Sequence, residues 1–308
     1  MNKQLYNFTQ DKLQKNRQGG QIKNSALAIR LHKDYHFGQF DLSKKHLTFN
    51  LTDILALSKE IQRTLGVEIR NDSYPNKTSR VTNAGVNRSE KENSYAVSKD
   101  FILINSLSEL KINKTIYKSS PFTSLGNYIK ADEIQSVEHS VIVLVENLAV
   151  MANLKLINLT ALCDEIDLPI DLPIDLTKAL WLYRGDVKPQ QTTNTSYQFF
   201  RRFKGKIPLI CFSDLDPKGI EIALTSQADF WLTLKNTHEV AMALLGSEQE
   251  WYKQKSAIDF LLKQEKTNEE KQPWQYSFDI LQHHKKTLKQ EHMLKHKLEL
   301  ALLKINDK

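Results

Sequence analysis

Residues 207–223 read IPLICFSDLDPKGIEIA, and this stretch decides the fold class. Its first six residues form an almost uninterrupted apolar run, which is typical of a short strand covered on both faces in a parallel sheet. Asp216 and Pro217 follow, and these residue types suit the cap and the first position of a helix. The stretch therefore predicts a buried strand, a turn that carries two carboxylates, and a helix.

The two carboxylates of this turn need separate explanations. A helix cap accounts for Asp216 but not for Asp214, which lies two positions earlier. Two acids at this spacing repel each other, and proteins usually tolerate such a pair where a cation lies between them. The carboxyl ends of parallel strands are also where open α/β sheets bind ligands. Because Asp-x-Asp pairs are common, this pair alone leaves a structural role and a metal site equally open.

Strands and helices alternate on the amino-terminal side of this stretch as well. Residues 139–154, HSVIVLVENLAVMANL, predict a strand that ends at Glu146 and then a helix. Residues 178–186, KALWLYRGD, predict a second strand that ends at Gly185, and residues 192–206 predict a helix. This alternation is typical of a doubly wound α/β domain with a parallel sheet.

A third acid, Glu146, follows an apolar strand in the same way as Asp214 does. Burial of a charge without a partner is costly, so packing alone does not explain it. Since the carboxyl ends of parallel strands lie on one edge, Glu146, Asp214 and Asp216 are expected to converge. Three carboxylates form a hard-oxygen site that suits Mg²⁺ or Mn²⁺, and such a site serves phosphoryl transfer.

The order of strand ends, Glu, then Gly, then Asp-x-Asp, resembles the Toprim domain of topoisomerases, bacterial primases and nucleases. The segments VENLAV (145–150) and SDLDPKGIEIA (213–223) are most similar to the topoisomerase VI A subunit group and the nuclease subunit of Wadjet plasmid-defence systems. The likeness spans about residues 138–235. It implies a metal-dependent endonuclease that cleaves plasmid or other foreign double-stranded DNA, with Glu146, Asp214 and Asp216 as ligands of Mg²⁺ or Mn²⁺.

The same resemblance implies the partners and one further site residue. Relatives act as homodimers together with an SMC-type ATPase complex and its kleisin. Residues 286–294, KTLKQEHML, resemble the Gln-Glu motif near the carboxyl terminus of the Wadjet nuclease subunit, which implies that Glu291 belongs to the active site. On a predicted helix Glu291 falls on the apolar face, where an acid needs a partner. A local ion pair with His284 or Lys295 remains the alternative.

The charge of the chain is distributed unevenly. Residues 1–130 contain 21 Lys and Arg against 11 Asp and Glu, although the net charge of the whole chain is only +7. A basic front half suggests binding of a polyanion such as DNA, whereas solubilising surface lysines are the simpler alternative. Four basic residues before the third strand are open to two interpretations in the same way, helix-dipole stabilisation or contact with the DNA backbone: Arg201, Arg202, Lys204 and Lys206.

These observations predict three regions. Residues 1–45 form a basic amino-terminal arm with a hinge at Gly19 and Gly20. Residues 46–130 form a winged-helix-like DNA-binding domain, which includes a helix within NLTDILALSKEIQRTLGVEI (50–69). Residues 131–308 form a Toprim domain of parallel α/β type, with a helical carboxyl-terminal extension after residue 259.

Composition excludes several other classes of protein. The chain is 40% hydrophobic and 26% charged, as in ordinary soluble proteins, and it contains no apolar run of 18 residues. The first twenty residues have no apolar core, and Cys163 and Cys211 are too few for a zinc cluster. A reducing cytoplasm and no membrane partner are therefore expected.

Two rival functions remain open at this point. A topoisomerase VI-like transesterifier needs a tyrosine nucleophile, for which Tyr35 in LHKDYHFGQF (31–40) is the candidate, although its surroundings match the family poorly and a half-buried aromatic residue is the simpler interpretation. A non-catalytic DNA-binding module would instead use its acids only to support the structure.

Overall fold

The computed structural model describes residues 1–76, 97–118, 125–159, 174–185, 193–235, 248–266 and 271–305. The chain divides into two compact units, Met1–Val97 and Ser98–Lys308, and each has its own hydrophobic core. We call them the first unit and the second unit. The division differs from the predicted boundaries at residues 45 and 130.

The first unit combines helices with a three-stranded antiparallel sheet of order β1-β3-β2. Its elements in chain order are α1 (Lys3–Lys15), β1 (Gly19–Lys23), α2 (Ala26–Tyr35), β2 (Gln39–Phe40), β3 (His46–Asn50) and α3 (Leu51–Leu65). The helix predicted within residues 50–69 is confirmed as α3. Asn50 and Asp53 cap it reciprocally, and it ends at Gly66, whose φ of 71° is left-handed.

Residues 1–45 are part of this unit, so the prediction of a separate arm is wrong. Leu5 and Tyr6 on α1 are completely buried, and Leu13 is almost so. Gly19 does not form a hinge but starts β1, where it pairs with Asn50. The segment is polar overall, but its few apolar residues share one face of α1, and the neighbouring helices and sheet are sufficient to bury that narrow face.

The second unit is a mixed α/β structure with one large sheet, and the expected α/β class is therefore confirmed. Seven strands pair in the order β12-β11-β10-β8-β9-β4-β7, and β5 and β6 form a separate hairpin. The strands are β4 (Phe101–Asn105), β5 (Leu110–Ile112), β6 (Thr115–Tyr117), β7 (Asn127–Lys130), β8 (Ile142–Val145), β9 (Leu180–Tyr183), β10 (Leu209–Phe212), β11 (Phe230–Leu234) and β12 (Leu300–Lys304).

The four central strands, β8 to β11, are parallel to one another. Every residue in them is buried, as the apolar runs predict for strands covered on both faces. The helices of this unit are α4 (Leu148–Met151), α5 (Thr193–Arg201), α6 (Pro217–Ser226), α7 (Glu248–Lys253), α8 (Lys255–Glu265), α9 (Pro273–His284) and α10 (Gln290–Lys295). Cys211 lies inside β10, and burial raises the pKa of its thiol to about 12.

Residues 98–130 belong to the second unit and not to a DNA-binding domain that ends at residue 130. Strand β4 pairs antiparallel with β9 and with β7, so both β4 and β7 extend the large sheet. Strand β4 joins the large sheet because the backbone groups at the open edge of β9 need hydrogen-bond partners, which β4 supplies. A strand signal in the sequence does not say which sheet the strand joins.

The carboxyl-terminal extension is not helical throughout, which corrects the prediction for residues after 259. Helix α10 ends at Lys295, and β12 then pairs antiparallel with β11, with Leu300 opposite Leu234. Leu298 therefore does not share a helical face with Glu291. The apolar residues of this segment fit both the helical and the strand period, and the free edge of β11 selects the strand.

Cys163 lies outside the described residues. Within the described ranges, the helices are all too short or too polar to cross a membrane.

Candidate metal centre at the carboxyl ends of the parallel strands

The order of the parallel strands creates a crevice at their carboxyl ends. Along the sheet they lie as β9-β8-β10-β11, so the chain leaves β8 towards one side and β10 towards the other. The point between two such strands is where open α/β sheets bind ligands. Glu146 directly follows β8 and Asp214 lies two residues after β10, and the register pairs Val145 with Phe212. Topology thus brings the predicted acids to one place.

Glu146 is held between a backbone amide and an arginine. Its Oε2 accepts a hydrogen bond from the backbone N–H of Asp214 at 3.1 Å, and its Oε1 lies 3.5 Å from Nη2 of Arg184. Burial, together with the charge of Asp214, raises the pKa of Glu146 to about 7, while Arg184 opposes the shift. A carboxyl group that titrates near neutrality can exchange protons with a reacting group at physiological pH.

Asp216 is only 2% exposed and accepts three hydrogen bonds. Its Oδ1 accepts from the backbone N–H of Gly219 at 2.7 Å, which confirms the predicted helix cap. Its Oδ2 accepts from Nε2 of Gln254 at 2.8 Å and from Nζ of Lys289 at 3.0 Å. Asp216 therefore has a structural role and also binds a cationic group.

Asp214, which the cap did not explain, is 8% exposed. Its Oδ1 accepts from the backbone N–H of Gln290 at 2.8 Å, and its Oδ2 lies 3.0 Å from Nζ of Lys289. Burial raises the pKa of this carboxyl group, and so does the charge of Asp216. The two aspartates therefore hold one ammonium group between them.

Residues 213–216, which we call the Asp-x-Asp loop, are fixed by α6 and β11. A Cβ atom on Gly219 would lie 1.9 Å from the carbonyl oxygen of Asp214, so only glycine allows the first turn of α6 to pass so close to the loop. Ser213 Oγ donates to the carbonyl of Gly219 at 2.9 Å and accepts from the Trp231 indole N–H at 2.9 Å. The Asp-x-Asp-Pro-x-Gly pattern thus has a steric cause.

The cationic group comes from a distant part of the chain. Leu215 and Leu288 exchange two backbone hydrogen bonds of 2.9 and 3.0 Å, and this bridge places Lys289 and Gln290 beside the loop. Sequence reasoning selected Glu291 and missed Lys289. The sequence contains one indication that Lys289 belongs to the site, which is that it directly precedes the Gln-Glu pair.

Glu291 lies at the border of the site. Glu291 is exposed, and its Oε1 accepts a hydrogen bond from Nδ2 of Asn147, the residue after Glu146. Among the ion pairs between described residues, none joins Glu291 to Lys295 or His284. The hydrogen bond from the Asn147 side chain therefore holds Glu291 near Glu146, and the two carboxyl groups are not in direct contact.

The donor set of the site fits a cation at the aspartate pair. Within the ranges that the structure describes, no group of three or more His, Cys, Asp and Glu side chains is close enough to hold one metal ion. The arrangement thus lacks a ready-made three-ligand set of Glu146, Asp214 and Asp216. However, the two Oδ2 atoms already share the ammonium group of Lys289, whose positive charge takes the place of that of a metal ion.

Residues 99–302 match a protein family described as a domain of unknown function (DUF7281). The chain belongs to this family. No curated protein matches the chain. The matched region begins one residue after the start of the second unit and ends within β12, so it covers the large sheet except for the last two residues of β12, and all four predicted site residues.

Within the DUF7281 region, one fully buried side chain beside the candidate metal centre has unsatisfied polar atoms. Gln290 is completely buried, and neither Nε2 nor Oε1 of its amide has a hydrogen-bond partner among the described residues. Nε of Arg184 is buried without a partner in the same way. Buried polar atoms are normally paired, with water or a ligand where protein groups do not serve.

The basic cluster that begins at Arg201, the last residue of α5, forms mostly structural contacts within the DUF7281 region. Arg201 donates to the carbonyls of Thr225 and Ser226, and Arg202 donates to that of Ile134. Lys204 binds the carbonyl of Gln227 and the carboxylate of Asp229. These bonds favour the structural interpretation over contact with DNA for these three side chains.

Tyr35 lies outside the DUF7281 region. It ends α2 in the first unit, where its half-buried ring packs against the core of that unit. This environment is the one expected of an aromatic residue that stabilises a small core.

Proposed function

We propose that this DUF7281 protein is a divalent-metal-dependent DNA endonuclease of Toprim type. One observation carries the proposal. Two buried aspartates at the switch point of a parallel sheet share a positive group at 3.0 Å from each, beside a third carboxyl group, that of Glu146. An arrangement of this kind lowers stability and is typical of sites that bind a metal and a phosphate group.

Mg²⁺ or Mn²⁺ would be held by Asp214 and Asp216, with Glu146 next to them. When bound, the ion would supply charge stabilisation on the oxygens of a phosphodiester and a more acidic water. Glu146, with a pKa of about 7, is suited to accept a proton near neutral pH. Arg184, which faces Glu146, supplies a positive group for a phosphate oxygen.

The first unit supplies the surface for DNA in this proposal. Six exposed lysines of this unit form no ion pair within residues 1–76, and four of them are Lys23, Lys33, Lys44 and Lys45. The last two lie between β2 and β3, in a hairpin that a winged-helix-like module would present to DNA. Unpaired lysines displace counter-ions from DNA and so support binding without sequence preference.

The biological setting follows from the Toprim and Wadjet resemblance. The protein would act in the cytoplasm as a homodimer, as the nuclease subunit of an SMC-type defence system that attacks plasmid or other foreign DNA. Copurification with an SMC-like ATPase and its kleisin tests this part independently of the chemistry.

A plasmid-nicking assay with the full-length protein tests the chemistry. We expect supercoiled DNA to be nicked in Mn²⁺ or Mg²⁺ and left intact in EDTA, and Asp214→Asn to remove the activity. Asp259→Asn, which makes the same change at an exposed position of α8, is the matched control and should be as active as the wild type. Nicking that persists in EDTA, or in Asp214→Asn, contradicts the proposal.

A second candidate is a non-catalytic DNA-binding module. The observation that favours it is the charge balance of the site, in which Lys289 and Arg184 already neutralise two of the three carboxylates. This candidate predicts DNA binding without nicking under every metal condition. The same assay, run beside a binding measurement, separates the two functions.

A further inference from the structure

The ammonium group of Lys289 lies 3.0 Å from Oδ2 of Asp214 and 3.0 Å from Oδ2 of Asp216. We propose that Lys289 is an internal counter-ion that occupies the divalent-cation position and has to be displaced before the cation binds. This inference rests on the proposed function, because it concerns how the same site is kept closed. It assigns to Lys289 a regulatory role that neither the sequence pattern nor the family match indicates.

The hydrogen bonds divide the four aspartate oxygens into two kinds. Both Oδ1 atoms accept from backbone N–H groups, those of Gln290 and Gly219, at 2.8 and 2.7 Å. Both Oδ2 atoms accept from side chains, which can move. Removal of Lys289 therefore frees Oδ2 of Asp214 and one lone pair on Oδ2 of Asp216, while the Oδ1 atoms continue to fix the carboxylates in place.

The ammonium group and a metal ion compete for the same space. An ion held by both aspartates would need the space between the two carboxylates, which the ammonium group now occupies at 3.0 Å from each Oδ2 atom. Two positive charges at such a distance repel each other strongly. Oδ2 of Asp216 also accepts from Gln254, so both of its lone pairs are in use until Lys289 leaves.

Lys289 has a route out of the site. Its side chain is 39% exposed, and the residue is the N-cap of α10 without a side-chain capping bond. A flexible four-carbon stem can turn towards solvent without breaking α10 or the backbone bridge between Leu215 and Leu288. Displacement thus needs a change of rotamer and not a change of fold.

Direct measurement of Mn²⁺ binding tests the proposal. The full-length protein is titrated with Mn²⁺, and the free ion is followed by electron paramagnetic resonance. We expect Lys289→Met to bind Mn²⁺ about tenfold more tightly than the wild type or better, because one positive charge has left the site. Lys295→Met removes an exposed lysine from the same helix and should bind like the wild type.

The outcomes distinguish this inference from the proposed function. If Lys289→Met and the wild type bind Mn²⁺ equally well, or if the variant binds more weakly, displacement is wrong while a metal-dependent nuclease still stands. If neither protein binds Mn²⁺, both the displacement and the metal-dependent function are wrong. Circular dichroism checks that the variants are folded.

A measurement on the unaltered protein keeps the test valid if Lys289→Met does not fold. Lysine acetylation by a small reagent is followed by mass spectrometry with and without Mg²⁺. We expect Mg²⁺ to increase acetylation of Lys289 several-fold, because the displaced ammonium group enters solvent, and to leave Lys295 unchanged. Unchanged or reduced acetylation of Lys289 would overturn the proposal.

Discussion

The two units differ in what they bury. In the described part of the first unit the buried polar side chains are those of Thr9 and Ser58, both neutral and both hydrogen-bonded. The second unit buries two like charges, Asp214 and Asp216, next to each other. Apolar packing and helix caps explain the first unit, whereas the carboxyl edge of the second unit contains groups that lower stability. Buried groups that lower stability are often found at functional sites, so the carboxyl edge of the second unit is the better candidate for the site.

The strongest way to sharpen this contrast is to remove one charge from the buried pair. We expect Asp214→Asn to reduce nicking by about a hundredfold or more, since a proposed metal ligand is lost, with a melting temperature in EDTA equal to or above that of the wild type. The relief of repulsion between like charges causes the second effect. Asn50→Ala in the first unit should do the reverse, with full nicking and lower stability. A clear fall in the stability of Asp214→Asn would show that the pair supports the fold.

The next largest effect is expected from Gly219→Ala. In an ordinary helix this change stabilises, but here the new Cβ atom would lie 1.9 Å from the carbonyl oxygen of Asp214. We expect the free energy of unfolding to fall by about 3 kcal/mol, the upper end of the usual range for overpacked sites, measured by urea denaturation. Gly205→Ala is the control: its φ of 73° strains an alanine, but its Cβ atom meets no atom within 4 Å, so the loss should be nearer 1 kcal/mol. Equal losses in the two variants would argue against the steric role of Gly219.

The pH dependence of stability gives a third test. The pKa of Glu146 is raised from 4.5 to about 7, so between these values the folded protein holds a proton that the unfolded chain has released. The contribution of this group to stability therefore falls by roughly 3 kcal/mol as the pH rises through this window, and it is lowest above pH 7. We expect Glu146→Gln to flatten this part of the profile in EDTA and to be the more stable protein at pH 8. If the stability of the wild type rose relative to that of Glu146→Gln between pH 4.5 and 7, the raised pKa of Glu146 would be contradicted.

The smallest effect is expected in the first unit. Lys44→Ala combined with Lys45→Ala should weaken DNA binding several-fold and lower the dependence of log K on log salt by about 1–2, because two counter-ion contacts are lost. The Mn²⁺ concentration required for nicking should not change. A shift in that requirement would mean that the two units do not divide the work as proposed.

The acids of the site could be predicted from the sequence because each lies within four residues of the end of an apolar strand. Glu146, Asp214 and Asp216 follow from local patterns together with one topological rule, that parallel strands share their carboxyl edge. The helix α3 was predictable for a similar reason, since its cap, its apolar period and its terminal glycine are all local.

Other features depended on pairing between distant segments. Lys289 reaches the aspartates only through the bridge between Leu215 and Leu288, and no local signal announces such a contact. Strand β12 was mistaken for a helix because its apolar spacing fits both periods and only the edge of β11 decides. The packing of residues 1–45 into the first unit was not predicted, because this segment is polar overall and contains few apolar residues at helical spacing.

The bridge between Leu215 and Leu288 also has a consequence for biosynthesis. Asp216 precedes Lys289 by 73 residues, so roughly 4–15 seconds of translation separate them at ordinary rates. Ribosome-bound chains stalled between the two positions, probed with Mn²⁺, would report on this interval. A nascent chain that has already paired its parallel strands carries two adjacent aspartates without their lysine. Under the proposed function, a divalent ion would therefore reach the aspartates before Lys289 does, and Lys289 would have to displace it.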